Sequence, residues 1–151
     1  GLMAWGAWCS GVALAHAGLG VVHGLASPLG GLYPIPHGVV CGALLPAATE
    51  INIRRLTQTP NNPKHADALA RYAEVPKLLK LPDASALETA SACQLLIQTL
   101  YSWSAHLTIP SLSAFGIRIE DRVIQATGLK SNPTPLSPAE IAEILARSGA
   151  Q

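Results

Sequence analysis

The sequence predicts an all-α chain, and three features carry that reading. No alternating apolar runs bounded by hairpin turns occur, so almost no sheet is expected. Two capping-box patterns, Ser85-Ala86-Leu87-Glu88 and Ser137-Pro138-Ala139-Glu140, mark helix starts. In each, the serine serves the first free amides and the glutamate reaches back to the serine amide. The first third consists of apolar stretches of helix length, punctuated by glycine and proline. At 151 residues the chain is long enough for one domain with a core, and residues 1–151 read as a single helical domain.

Taken in order, Leu2 to Ala17 is apolar on every side, which predicts a central rather than a superficial helix. Gly18-Leu19-Gly20 allows neighbouring backbones to approach closely. Ser27-Pro28-Leu29-Gly30-Gly31 is expected to break any helix, and Pro34 and Pro36 to hold the next residues extended. His37 then starts a second apolar helix, Gly38 to about Leu56, kinked at Pro46 where the bond to Gly42 is lost. Arg54 and Arg55 sit at its end, where the helix dipole favours cations. After a polar loop, Thr57 to Pro63, a helix is expected from Lys64 to Glu74 with Ala68, Leu69 and Tyr72 on one side. Pro76 and Pro82 bracket a short piece, Lys77–Leu81, that reads as a turn or a single helical turn. The capping box at Ser85 opens the best-defined helix, Ala86 to about Ala105, with Leu96, Leu100, Trp103 and Leu107 as its core stripe. Glu120 to Thr127 reads as a short helix stopped by Gly128, and the box at Ser137 starts the closing helix, Pro138 to Arg147.

Composition excludes several functions. A net charge of +1, without a Lys/Arg cluster carrying interleaved aromatics, leaves no electrostatic case for nucleic acid. Apolar residues make up 49% and charged ones 13%, and no Asp, Glu, Lys or Arg occurs from Gly1 to Thr49. Leu2–Val22 is therefore long enough to span a bilayer. It is diluted by Gly6, Ser10, Gly11, His16, Gly18 and Gly20 and lacks flanking basic residues, so no membrane role is expected. Cys9, Cys41 and Cys93 have wide, motif-free spacings that suit free thiols in a reducing cytoplasm. A Ser-His-Asp hydrolase is excluded as well, since no Gly-x-Ser-x-Gly elbow is present.

Chemistry concentrates between Gly18 and Pro46. His23 and His37 each precede a glycine, and a histidine near the end of one helix can face another at the start of the next. Neutral imidazole is the commonest metal-binding side chain, but a catalytic metal usually takes three or more protein ligands. Two histidines alone therefore read equally as loop and cap residues.

The wider string, Gly18-Leu19-Gly20, His23-Gly24, Pro28-Leu29-Gly30-Gly31, Pro36-His37-Gly38 and Leu44-Leu45-Pro46, resembles a signature region of the iron-dependent (group III) alcohol dehydrogenases. Further along, Arg71-Tyr72-Ala73, Leu107-Thr108-Ile109-Pro110, Gly116-Ile117 and Ser131-Asn132-Pro133-Thr134-Pro135 match that family more loosely. The resemblance implies the C-terminal helical domain of the dehydroquinate synthase-like fold, in incomplete form. It implies an upstream nucleotide-binding domain that this chain does not contain. It makes His23 and His37 metal ligands for Fe2+ or Zn2+, with the remaining ligands on an upstream Asp-x-x-x-His pair that has no counterpart here.

The implied whole protein uses NAD or NADP to interconvert a small alcohol and an aldehyde or ketone, with a homodimer left open. A maleylacetate reductase-like oxidoreductase of the same superfamily, or a non-catalytic helical module, is the alternative. Where the family most often carries a relay histidine, this chain has Ser27. A serine hydroxyl can pass a hydrogen bond but has no pKa near neutrality, so Ser27 is either a relay or a pocket-shaping residue. Tyr33, between the two histidines, is a candidate substrate contact. His16 reads as a core histidine near the site, His65 as solvated, and His106 as a helix-end cation. Cys41, one turn beyond His37, reads as a buried cysteine, and Trp5, Trp8 and Trp103 as core and interface residues.

Overall fold

A computed structural model describes residues 1–59 and 61–151. Pro60, inside the expected polar loop, lies outside the described residues. The described chain folds as α1 (Leu2–Ala17), α2 (Val21–Leu32), α3 (His37–Thr57), α4 (Pro63–Leu78), α5 (Thr89–His106), α6 (Asp121–Ala126) and α7 (Pro138–Arg147). Short 3-10 turns occupy Ala84–Ala86 and Leu112–Phe115, and no strand occurs among the described residues.

α3 is the spine, in contact with α2, α4, α5 and α7. Its apolar residues recur every three or four positions, so one helix presents a continuous face to several neighbours. Val40, Leu44, Ala47, Ala48 and Ile51 enter the main core with Val21, Leu25 and Leu29 of α2, Val123 of α6, and Ile141, Ile144 and Leu145 of α7. Further along, Ile53 belongs to a smaller cluster with Ala73 of α4 and Ala92, Cys93 and Ile97 of α5. The chain end is tied in by backbone: Leu112 N–H donates to Ser148 O at 3.1 Å and Ile119 N–H to Gln151 O at 2.7 Å. The capping box at Ser137 forms as expected, with Ser137 N–H donating to Glu140 Oε2 at 2.7 Å.

Four expectations are corrected. First, Ser27–Gly31 does not break the helix, because α2 runs through Pro28 to Leu32. Proline in a helix interior costs about 3 kcal/mol, whereas each fully buried leucine or valine contributes about 1.5–3 kcal/mol. Val21, Leu25 and Leu29 are all buried, so burial outweighs the lost bond. The break comes instead at Tyr33, extended at φ −130° and ψ 146° ahead of Pro34.

Second, α4 likewise continues through Pro76, which is itself buried, so Lys77 and Leu78 are helical. Third, the Ser85 box does not form. Leu87 is extended at φ −81° and ψ 141° and packs on the smaller cluster, which delays α5 to Thr89. The buried face of α5 is Ala92, Cys93, Leu96 and Ile97, in its first half; Trp103 and Leu107 are 44% and 70% exposed.

Fourth, α1 is not central. It forms with the expected bounds, yet none of its residues is buried. α1 makes no extended contact with another described helix, and Trp5 and Trp8 stack on each other with ring centroids 4.9 Å apart. No single described helix is long and apolar enough to cross a membrane; α1 and α2 pass that test only together, across a 98° bend.

Candidate metal centre

The position of His23 is set from both ends of the first turn of α2. Gly20 is the N-cap, and Val21 N–H donates to Asn132 Oδ1 at 3.1 Å. Asn132 Nδ2 in turn donates to Asn52 Oδ1 at 2.8 Å and to Thr134 O at 2.7 Å. The Asn132-Pro133 loop thereby fastens the start of α2 to buried Asn52 in the second half of α3. Beyond His23, the α2 backbone lies against the segment after α6. A Cβ built on Gly24 would stand 2.1 Å from Gly128 O, so no side chain fits there. His23 thus lies in the first turn of α2, rather than near the end of a helix as the spacing had suggested.

His37 is the first residue of α3, which Pro36 leads in with an extended backbone. Leu25 and Leu29 share one core with Val40 and Leu44, so α2 packs against the first half of α3. The imidazole centroids of His23 and His37 are 5.4 Å apart, with planes inclined by 49°. His23 is half-buried and His37 exposed, so the pair faces outward from the helical body.

Cys41, one turn along α3, is half-buried, and its Sγ lies 3.5 Å from His37 Nε2. One ligand atom from each of His23, His37 and Cys41 lies within 4.8 Å of the others. Burial pushes the Cys41 thiol above its ordinary pKa. Two imidazoles and a sulfur suit a borderline dication, and imidazole suits both zinc and iron. The residues present therefore fit a divalent metal, with further ligand positions left to other groups.

The remaining candidates are placed as follows. Ser27 lies one turn beyond His23 on the same face of α2 and is exposed. Tyr33 is half-buried, and its hydroxyl donates to Glu120 Oε1, a contact between residues 87 apart that no local pattern signals. Arg122 Nε donates to the other oxygen, Glu120 Oε2, at 2.5 Å. These contacts, Arg122 first and Tyr33 second, hold the Glu120 carboxyl below its ordinary pKa. His16 is not a core residue: it is exposed on α1 and donates from Nδ1 to Val12 O at 2.8 Å. His65 is half-buried beside Thr59 Oγ1, and His106 at the end of α5 bonds Ser102 O at 2.9 Å. Neither belongs to the His23–His37–Cys41 group.

Residues 1–149 match the family model for the C-terminal part of the Fe-containing alcohol dehydrogenase family. The chain is 34% identical over 149 residues to a 1,3-propanediol dehydrogenase of Citrobacter freundii, covering 94% of this chain and 35% of that protein. It is 28% identical over 150 residues to an NAD-dependent methanol dehydrogenase of Bacillus methanolicus, covering 95% of this chain and 36% of that protein. A crystal structure of a 1,3-propanediol oxidoreductase superposes with a TM-score of 0.72 at 30% identity, covering 91% of this chain and 35% of the other. The chain thus spans roughly a third of the length of these relatives. The all-helical fold, the ordered Gly18–Pro46 signature and these matches lead to one conclusion: the chain belongs to the Fe-containing alcohol dehydrogenase family, as its C-terminal helical domain.

Proposed function

We propose that this chain is the metal-binding part of an NAD(P)-dependent dehydrogenase that interconverts a small alcohol with its aldehyde or ketone. The observation that carries the reading is the convergence of His23 and His37, held 5.4 Å apart from two different helices. Ligands of one ion at tetrahedral angles sit with nitrogens about 3.4 Å apart, given metal–nitrogen bonds near 2.1 Å. The ligand atoms of His23 and His37 lie within 4.8 Å of each other.

In this reading His23 and His37 hold Fe2+ or Zn2+ through neutral ring nitrogens. When bound, the metal supplies Lewis-acid polarisation of the substrate oxygen. The outward-facing rings leave the open side of the site toward an upstream nucleotide-binding domain, which brings the nicotinamide. A cleft between two domains is a common location for such a site. Ser27, one turn from His23, borders the same opening and either passes a hydrogen bond from the substrate or leaves room for it. Tyr33, at the end of α2 and anchored by Glu120, is a candidate substrate contact. The relatives, a 1,3-propanediol dehydrogenase and an NAD-dependent methanol dehydrogenase, support a small alcohol and NAD. In this reading the whole protein acts in the cytoplasm, without a nucleic-acid partner, and as a homodimer.

The test uses the full-length protein with His23→Ala and His37→Ala. Metal content is measured by atomic emission, and alcohol oxidation by reduced-nicotinamide absorbance with NAD and with NADP. Each substitution should lower metal affinity by more than the roughly 10- to 100-fold expected of an outer-shell change, with helical circular dichroism unchanged. Full metal occupancy in either variant would refute the assignment.

A further inference from the structure

We propose that the cavity between the end of α1, α4 and the Asn132-Pro133 loop binds a small organic monoanion, a carboxylate joined to a hydroxyl by a short apolar chain. Neither His23 nor His37 lines it, so the proposal does not depend on the metal reading.

One face of α4 forms the wall. Lys64, Asp67, Ala68, Arg71, Tyr72 and Val75 follow at steps of one, three or four residues, and all six line a cavity of about 570 Å³. A second cavity of about 300 Å³ adjoins it, with Tyr72, Ser131 and Pro133 lining both. Each falls within the range of small-molecule sites, about 300–1,000 Å³. The inner cavity reaches Ala48, Thr49 and Asn52 of α3, and Val21 and Val22 of α2.

Thr49 makes the floor polar. It is only 6% exposed, yet its hydroxyl has no hydrogen-bond partner among the described residues. Thr99 and Thr127, also in or at the end of helices, return theirs to the carbonyl four residues back at 2.8 Å. Among the described residues, no fully enclosed side-chain oxygen or nitrogen lacks a partner, so the Thr49 hydroxyl faces the open cavity. A buried hydroxyl left unpaired is costly, and a ligand hydroxyl satisfies it. Asn52 beside it is already engaged by Asn132 at 2.8 Å.

The mouth selects charge. Lys64, Asp67 and Arg71 form no ion pair among the described residues. Lys64 stands in the first turn of α4, where the helix dipole favours an anion. Two cations against one carboxylate leave one net positive charge on the wall. A monoanion matches that charge and a dianion exceeds it. A guanidinium takes a carboxylate through two parallel hydrogen bonds. Between mouth and floor, Val21, Val22, Leu45 and Ala48 supply the apolar stretch.

The experiment titrates the full-length protein, without nicotinamide, with 6-hydroxyhexanoate, hexanoate and inorganic phosphate by calorimetry. Saturable binding should be tightest for 6-hydroxyhexanoate and weakest for phosphate. Arg71→Gln should weaken both carboxylates by roughly 10- to 100-fold, the loss of a charge-assisted hydrogen bond. Thr49→Val should weaken 6-hydroxyhexanoate by about 2- to 10-fold and spare hexanoate, while Thr49→Ser keeps the preference. Arg71 is exposed, so its substitution tests the site even where Thr49→Val fails to fold. His37→Ala should leave all three affinities unchanged. No saturable binding of 6-hydroxyhexanoate, or an affinity unaltered in Arg71→Gln, would overturn the site. Binding lost in His37→Ala would place the ligand at the metal centre and overturn it too. Tighter binding of phosphate would overturn the monoanion, and equal binding of hexanoate the role of Thr49.

Discussion

Gly24→Ala should damage both the fold and the metal centre, and the structure fixes how much. The added Cβ would meet Gly128 O at 2.1 Å, where ordinary contact begins at 3.4 Å, so one of two backbones must retreat by 1.3 Å. Neither atom is the end of a flexible side chain, and the overlap cannot be relieved by a rotamer change. Overpacking of this kind costs about 1–3 kcal/mol. Because His23 is the adjacent residue, a shift of that size also carries its imidazole away from the roughly 3.4 Å spacing that a shared ion requires.

Urea unfolding should show a lower midpoint with unchanged slope, and titration of the full-length protein should show weakened metal binding. Gly30→Ala is the control, since its Cβ would meet nothing within 4 Å. In the same helix it should stabilise by up to about 1 kcal/mol, the helix-propensity gain of alanine over glycine. A Gly24→Ala protein with the parental midpoint and metal affinity would refute the close approach of α2 to Gly128.

Ser27→His in the full-length enzyme should raise alcohol oxidation near neutral pH, by up to the roughly 100- to 10,000-fold that a positioned general base contributes. The gain should grow as pH rises through about 6.5, where histidine loses its proton. Unchanged turnover in Ser27→Ala, with a tighter preference for small alcohols, would make Ser27 a shaper of the pocket rather than a relay. Glu143 bridges Arg54 at 2.6 Å and Arg147 at 2.8 Å, and Arg54 first, then Arg147, lowers its pKa from 4.5 to about 2. A depressed carboxylate pKa contributes stability above 4.5 that is lost as pH falls toward about 2. The side chain is 32% exposed, so Glu143→Gln should cost no more than about 1 kcal/mol at neutral pH and nothing near pH 2. A loss that persists at pH 2 would assign the effect to packing instead of charge.

The fold was legible wherever a local signal faced no competition. Ser137 and Glu140 cap α7 as written, and α3 starts at His37 because Pro34 and Pro36 keep the preceding backbone extended. Proline signals failed where burial competed. Pro28 and Pro76 each remove one helical bond, a cost set by local chemistry, while Leu25 and Leu29, or Ala73 and Pro76 itself, gain from partners distant in sequence. The Ser85 box failed in the same way, since the packing of Leu87 decided the backbone between serine and glutamate. Periodicity on α5 pointed to the stripe Leu96, Leu100, Trp103 and Leu107, of which only Leu96 is on the buried face. The choice was made by α3 and α4, which cover only its first half.

The candidate site divides along similar lines. His23 and His37 were legible because an ordered string of glycines and prolines surrounds them. Their supports were not, because Asn132 holds Val21 from 111 residues away and Glu120 holds Tyr33 from 87. No periodicity reports contacts at that separation. The placement of both histidines in first helical turns adds a constraint that the spacing did not contain. Helix N-termini carry partial positive charge and disfavour a cation nearby. In the proposed site, a dication held by two neutral imidazoles therefore needs an anionic donor, which the resemblance puts on the upstream Asp-x-x-x-His pair.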